Sequence, residues 1–516
     1  MGHRTKSVRA GERFLAPRSR VRDLGEAEQH PDDLLLAVRR ASAGDRLSLE
    51  GAQYAAPPAA LEELEYVCDS PELTGFAGLP ALMQFAYGVG LAERLAQLPW
   101  TKRRSVYSPA KLCEVVVALL AAGLERVSHV DDVTFDPGLC RSLGLERLPD
   151  QATLSRLFSE ASERSVSALR ELNREFVEQA LTLSHPPRQL VVDCDTRSVR
   201  VYGKQEGTVH TRRSGKQAQY TFEVAALRNT HDILDGGLLP GATHPAPLFV
   251  EPLRGVLEQL GPKAETVTWC ADAAWYSGEV LQALEMADAD PQVPCAVRYA
   301  IRAQLSSSLL ATIMALPESA WRPCAEGVEI AEVRWAFRGS RHDREGRERR
   351  YIVTRTARPE RAREGQQGKL FELGRYEYAA IVTTLEWRPR RVWAFYNARA
   401  TVESILKESA LGFHMDSLPS ATFLGNALFA QLLILAYNLV NLFRRLGLPR
   451  EASRHQAPTL QRRVLALPGR VERTGRGCRI HVAREGPAAQ WLAPLARALR
   501  IWLEPLEPLR LRPSTA

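Results

Sequence analysis

RQLVVDCDTRSVRVYG, residues 188–203, is where the chain turns from a helical to an extended texture. Leu, Val and Cys alternate with Asp, Thr, Arg and Ser, and a period of two places successive side chains on opposite faces of a strand. Downstream, YTFEVAALRNTH (220–231) and ILDGGLLPGAT (233–243) read as two more strands joined by polar or turn-rich segments. PLFVEPLRGVLEQL (247–260) has helical spacing, ETVTWCADAAW (265–275) reads as a fourth strand, SGEVLQALEMA (277–287) as a helix and VPCAVRYA (293–300) as a fifth strand.

The order β-β-β-α-β-α-β is that of the ribonuclease H-like fold, a mixed sheet with flanking helices, so the expected class is α/β. Residues 186–300 form its first part and 390–447 its second. The intervening 301–389 is too long for a plain connection and is expected to be a β-rich insertion. VEIAEVRWAF and RRYIVTRTA flank the charged turn RGSRHDREGRE as a hairpin, and YEYAAIVTTLEW adds a strand. Upstream, LPALMQFAYGVGLAERLAQL, PAKLCEVVVALLAAGLERV and DQATLSRLFSEASERSVSALRELNREFVEQAL carry helical periodicity, so 71–185 is expected to be an all-helical DNA-binding domain. Within it Asp150 is the expected N-cap of a short helix that resembles a helix-turn-helix reading head, with Arg156 reaching DNA; a helix that merely packs fits the same residues. Residues 1–70 read as a partly disordered appendage with one short helix over 31–42, and 448–516 as an Arg-rich helical C-terminal region.

The 516 residues carry 68 Lys+Arg against 60 Asp+Glu, a formal charge of +8 that suits a polyanionic partner. Eight cysteines are scattered without a C-x-x-C pair, which points to reduced thiols in a cytoplasmic protein and away from a zinc site. NALFAQLLILAYNLVNLF (426–443) is apolar, yet Asn426, Gln431, Asn438 and Asn441 interrupt it, so a buried core helix is expected and no membrane partner.

Three acids stand where this order of elements converges on one sheet edge: Asp195 on the first strand, Asp272 after the fourth and Glu403 on the helix after the insertion. Strand residues two apart face the same way, so Asp193 competes with Asp195. Phosphodiester chemistry needs such a cluster, because two Mg²⁺ ions roughly 3.5–4 Å apart must be held by hard oxygen ligands, with Mn²⁺ able to substitute. In YNARATVESILKE (396–408), about 100° per residue puts Tyr396, Arg399, Glu403 and Lys407 on one helix face, a carboxylate flanked by phosphate-binding groups. A solvated salt-bridge ladder has the same pattern.

LPDQATLSRLF, VVDCDTRSVRVYGKQEG, GGLLPGATH, WCADAAWYSGEVLQAL, YNARATVESILKE and NALFAQLLILAYNLVNLFRRL, in order over residues 75–447, resemble the DDE transposases of bacterial insertion sequences. The likeness is to the group with a Tyr-Arg-Glu-Lys signature and, within it, the subgroup called insertion sequence thirteen-eighty. The resemblance implies metal-dependent DNA cleavage at element ends and strand transfer into target DNA. It assigns the catalytic, metal-binding triad to Asp195, Asp272 and Glu403, with two ions per site. Tyr396, Arg399 and Lys407 become DNA contacts, and Asp193 supports the first ligand from behind. The spacing from Asp195 to YGKQEG (202–207) favours Asp195 over Asp193, and Lys204 and the Arg212-Arg213-Lys216 run are expected along the DNA path.

Two departures stand out. The signature's Lys lies seven residues after its Glu, where this chain has Ala410, and Arg197 follows Thr196 where a small residue and Thr are usual. The implied partners are double-stranded DNA, as terminal inverted repeats and target, and a second copy in a synaptic dimer; the implied location is the bacterial cytoplasm at the nucleoid. Trp335 and Trp393 are candidates to stack an extruded base, with core packing the better reading. The rival readings are a nuclease of the same fold without strand transfer and a catalytically inactive relic that binds DNA.

Overall fold

The computed structural model describes residues 69–100, 105–184, 188–210, 217–241, 243, 246–336, 346–357, 375–474, 477–483 and 491–492. The expected helix over 31–42, the rest of the appendage to residue 68 and the Arg212-Arg213-Lys216 run lie outside them. Strand β1 (Leu73–Thr74) is followed by α1 (Leu79–Gly88), α2 (Leu91–Gln97), α3 (Pro109–Ala122), α4 (Pro137–Ser142), α5 (Gln151–Ser159) and α6 (Glu163–Ser184). Local chemistry sets the starts. Ser108 accepts from the Lys111 N–H ahead of Pro109, and Asp150 accepts from the Thr153 N–H at 2.8 Å, the cap expected from sequence.

The extended half comprises β2 (Gln189–Val201), β3 (Val209–His210), β4 (Ala218–Leu227), β5 (Ile233–Leu239), α7 (Ala246–Leu260), β6 (Thr266–Ala271), α8 (Gly278–Ala289) and β7 (Ala296–Ala303). β2, β6 and β7 run parallel, while β4 pairs antiparallel with β2 and β5 with β4. The insertion then supplies α9 (Ser307–Met314), β8 (Arg322–Ala325), β9 (Val328–Ala336), β10 (Glu348–Ala357) and β11 (Tyr376–Thr383). Its strands extend the same sheet: β11 pairs with β7, and the ten-stranded order is β3-β4-β2-β6-β7-β11-β10-β9-β8 with β5 on β4. The chain closes with α10 (Pro389–Asn397), α11 (Ala400–Gly412), α12 (Phe423–Leu446), α13 (Arg450–Ser453), α14 (Ala457–Leu460), β12 (Gly469–Thr474) and β13 (Gly477–Val482).

Two expectations are corrected here. The helical block is not a separate domain. Residues of α1–α6 share one apolar cluster with α11, α12 and one face of β2, β4 and β5, because α12 is apolar on every side and needs cover all round. The C-terminal region is not wholly helical either: β12 and β13 form a hairpin, and β12 pairs with β1 through Leu73↔Arg470 and Thr74↔Gly469. Gly78 lies against this return, where a Cβ would stand 1.6 Å from the Val464 carbonyl oxygen, so no other residue fits.

α12 is long and apolar enough to cross a membrane, but 89% of its apolar window is buried inside the protein. Its polar interruptions hold it to β5 and the loops beside it. Asn438 accepts from the Ile233 N–H at 2.8 Å and donates to the Ile233 carbonyl at 2.9 Å; Gln431 donates to the Gly236 carbonyl at 2.8 Å and Asn441 to the Thr230 carbonyl at 2.9 Å. The Gln431 and Asn441 amide oxygens accept from Asn173 and Arg444, so these buried amides are satisfied by backbone and side chains together.

Candidate active site

Parallel pairing of β2 with β6 ends with Cys194 opposite Ala271, so Asp272 follows the end of β6 beside Asp195, which lies midway along β2 where the strand runs on past its neighbour. Asp272 caps the turn after β6, accepting from the Ala274 N–H at 2.8 Å. α11 packs over β2 and carries Glu403 in its first turn, exposed to solvent. Asp195 is half-buried and accepts from the Thr196 N–H at 2.8 Å. Burial pushes its carboxyl up; Arg399 and that N–H pull it back, and the charges of Asp272 and Glu403 add to the rise. The three acids therefore share one electrostatic neighbourhood.

They do not close on a point. Among the described residues no three His, Cys, Asp or Glu side chains are grouped so as to hold a metal ion. Arg399 instead reaches Asp195 at 3.1 Å and donates to the Cys194 carbonyl at 3.1 Å and 3.4 Å. The donor set, all carboxylate, suits a hard divalent cation, and the mutual repulsion at Asp195 is what such a cation relieves.

Tyr396, Arg399, Glu403 and Lys407, expected on one helix face, are divided between α10 and α11 by a turn at residues 398–399. Tyr396 is buried and donates to the Ala271 carbonyl at 3.3 Å, next to Asp272, with burial pushing its phenol up to about 12. Arg399 is buried too. Tyr396 bonds to the last carbonyl of β6 and Arg399 to the Cys194 carbonyl within β2. Glu403 and Lys407, one turn apart on α11, face solvent.

Asp193 is clamped from behind. Arg228 donates to its two oxygens at 2.8 and 2.6 Å and to the Phe395 carbonyl at 2.8 Å, with the guanidinium 4.7 Å from the Phe395 ring centroid. This ties β2 to α10 just ahead of Tyr396. Arg228 was not singled out from sequence, and the one signal for it was the buried acid that needs a cation. Arg197 turns to Asp416 at 3.0 Å. Lys204 lies exposed on the turn after β2, and Arg156 exposed on α5. Trp335 packs edge-on against Tyr351 at 5.7 Å and Trp393 against the cluster under α10, which is the core reading for both.

A family model described as transposase DDE domain group 1 matches residues 60–502. The chain belongs to that family. No curated protein matches this DDE transposase-family chain. Among solved structures, a piggyBac transposase synaptic complex with hairpin DNA aligns over 71% of this chain and 75% of its own, at 10% identity and a TM-score of 0.39. A Mos1 transposase paired-end complex with the left transposon end aligns over 36% and 58%, at 16% identity and a TM-score of 0.14. Neither likeness is close enough to carry a residue's role across.

Proposed function

We propose that this chain is an active transposase of the insertion sequence thirteen-eighty subgroup, cutting DNA at the ends of its element and joining the freed 3′ ends to target DNA within a homodimeric synaptic complex. The observation that carries the reading is the pair of acids set side by side where the β2–β6 pairing ends, with the helix α11 that bears Glu403 packed over β2. Asp195, Asp272 and Glu403 are the residues that would hold two Mg²⁺ ions, for which Mn²⁺ substitutes, and the chemistry such ions supply when bound is activation of the attacking water and stabilisation of the leaving oxygen.

The remaining side chains act on position and charge. Arg399 sets its positive charge against Asp195, and Tyr396 fixes the end of β6 beside Asp272. The Arg228–Asp193 clamp holds α10 against β2 and so sets where α11 begins. Lys407, exposed one turn from Glu403 though short of the signature's Lys position, is placed to meet a phosphate.

Cleavage of labelled duplexes taken from the gene's flanks, in Mg²⁺ and in Mn²⁺, tests the reading. The wild type should cut at a defined position and Glu403→Gln should lose cutting while keeping binding; cutting retained by Glu403→Gln refutes the triad. Arg399 seated on Asp195 favours one alternative, a relic that binds DNA without cutting, and binding by the wild type without cleavage in either metal would establish it.

A further inference from the structure

Two grooves flank the first turn of α5, and their linings differ in sign. One, about 590 Å³, is walled by Asp131, Asp132, Asp136 and Asp150, with Arg147 the one cation among the described residues that line it. The other, about 500 Å³, lies where the helical block meets the end of β2 and is lined by Arg126, Ser128, Ser155, Tyr202 and Gln205. The one acid among the described residues that line it, Asp416, is paired with Arg197. Lys204 stands exposed beside Tyr202, and Arg156 follows Ser155 on α5. A polyanion is repelled from the first groove and met by cations, hydroxyls and amides in the second.

The rim of the second groove is built to hold its shape. Gly203 turns the chain at φ +100° directly after β2, a conformation that strains a residue with a Cβ. Beyond it the turn is tied to the start of α12. Asn426 donates to the Gln205 side chain at 3.2 Å, the Phe423 N–H to Glu206 at 2.9 Å, and the Glu206 N–H to the Ala421 carbonyl at 3.0 Å. Tyr202, 83% exposed, is thus displayed on a fixed support with its phenol free to donate.

β2 runs directly from Asp195 to this rim. Seven residues of strand span about 23 Å, which matches between six and seven base pairs at about 3.4 Å of rise each. We propose that the groove between α5 and the 202–205 turn seats the sugar-phosphate backbone of the element-end duplex six to seven base pairs inside the phosphate held at the carboxylates. Arg126 and Lys204 neutralise successive phosphates and Tyr202 fixes the register. The inference rests on the transposase reading and adds to it a place and a distance.

Phosphate-ethylation interference on a labelled flank duplex, together with binding across a salt series, tests it. Wild type should show interference at phosphates six to seven base pairs from its own cleavage position. Arg126→Ala and Lys204→Ala should each lose that signal and lower the salt slope by about one, weakening binding up to about tenfold at 150 mM salt, while Arg126→Lys and Lys204→Arg retain the slope. Asp132→Asn, in the acidic groove, should not weaken binding. If the wild type cuts and the alanine variants keep both slope and interference pattern, the groove assignment is overturned and the transposase reading stands. If the wild type neither binds nor cuts the flanks, both fall together.

Discussion

Two aspartates two residues apart on β2 meet arginine in opposite ways. Asp193 is 1% exposed and has both oxygens taken by Arg228, which also holds the Phe395 carbonyl. Asp195 is 13% exposed, and its arginine, Arg399, divides its donors between the carboxylate and the Cys194 carbonyl. The first pair is saturated and has nothing left to offer. The second is under pressure from Asp272 and Glu403 and leaves Asp195 able to exchange partners. Strand alternation gives the two acids the same orientation, and their partners alone set them apart, which is why the proposed reading gives the chemistry to Asp195.

Breaking the saturated pair should have the largest effect. Arg228→Ala leaves a buried carboxylate alone and should cost about 3–5 kcal/mol in denaturant unfolding; a loss near zero would mean the clamp is dispensable. Glu223 on β4 supplies the next test, since it sits beside Asp235 while Arg170 bonds to Asp235. Burial pushes Glu223 up to about 7, against the pull of Arg170 and with Asp235 adding to the rise. Between the ordinary value of 4.5 and about 7 the folded chain keeps a proton the unfolded chain has lost, so stability falls as pH rises through that window. Glu223→Gln should flatten the fall and stabilise the protein at pH 8 by at most about 3 kcal/mol, and unchanged pH curves would remove Glu223 from the account. Arg399→Met should cost least, about 1–2 kcal/mol, and Mn²⁺ should raise its melting temperature more than that of the wild type. An equal rise in both would show that Arg399 does not compete for Asp195.

Much of this was legible in the sequence because it depends on local pattern. The alternation around Asp195, the Asp150 cap and the order of strands follow from residues a few positions apart. What was not legible depends on distant partners. Tyr396 and Arg399, either side of the turn at 398–399, bond to Ala271 and Cys194, more than 100 residues upstream. Arg228 finds Asp193 across 35 positions. Nothing in the spacing of the inserted strands says that they would extend the central sheet, since edge pairing leaves no local mark. The closing hairpin did carry a signal, GRVERTGRGCRIHV with a Gly-rich centre between alternating runs, and the charge of the region obscured it.

That hairpin also fixes an order of events during synthesis. Leu73 and Thr74 emerge early, but their partners Arg470 and Gly469 lie almost 400 residues later, as do the Leu465 and Leu467 carbonyls that receive the Gly78 and Ala77 amides. All three acids have left the ribosome well before these contacts are available. A chain cut short after residue 447 therefore retains every candidate ligand yet lacks the closure of its own helical front. Truncated copies of such a gene would encode a chain in which Leu73, Thr74 and the Ala77 and Gly78 amides have lost their partners.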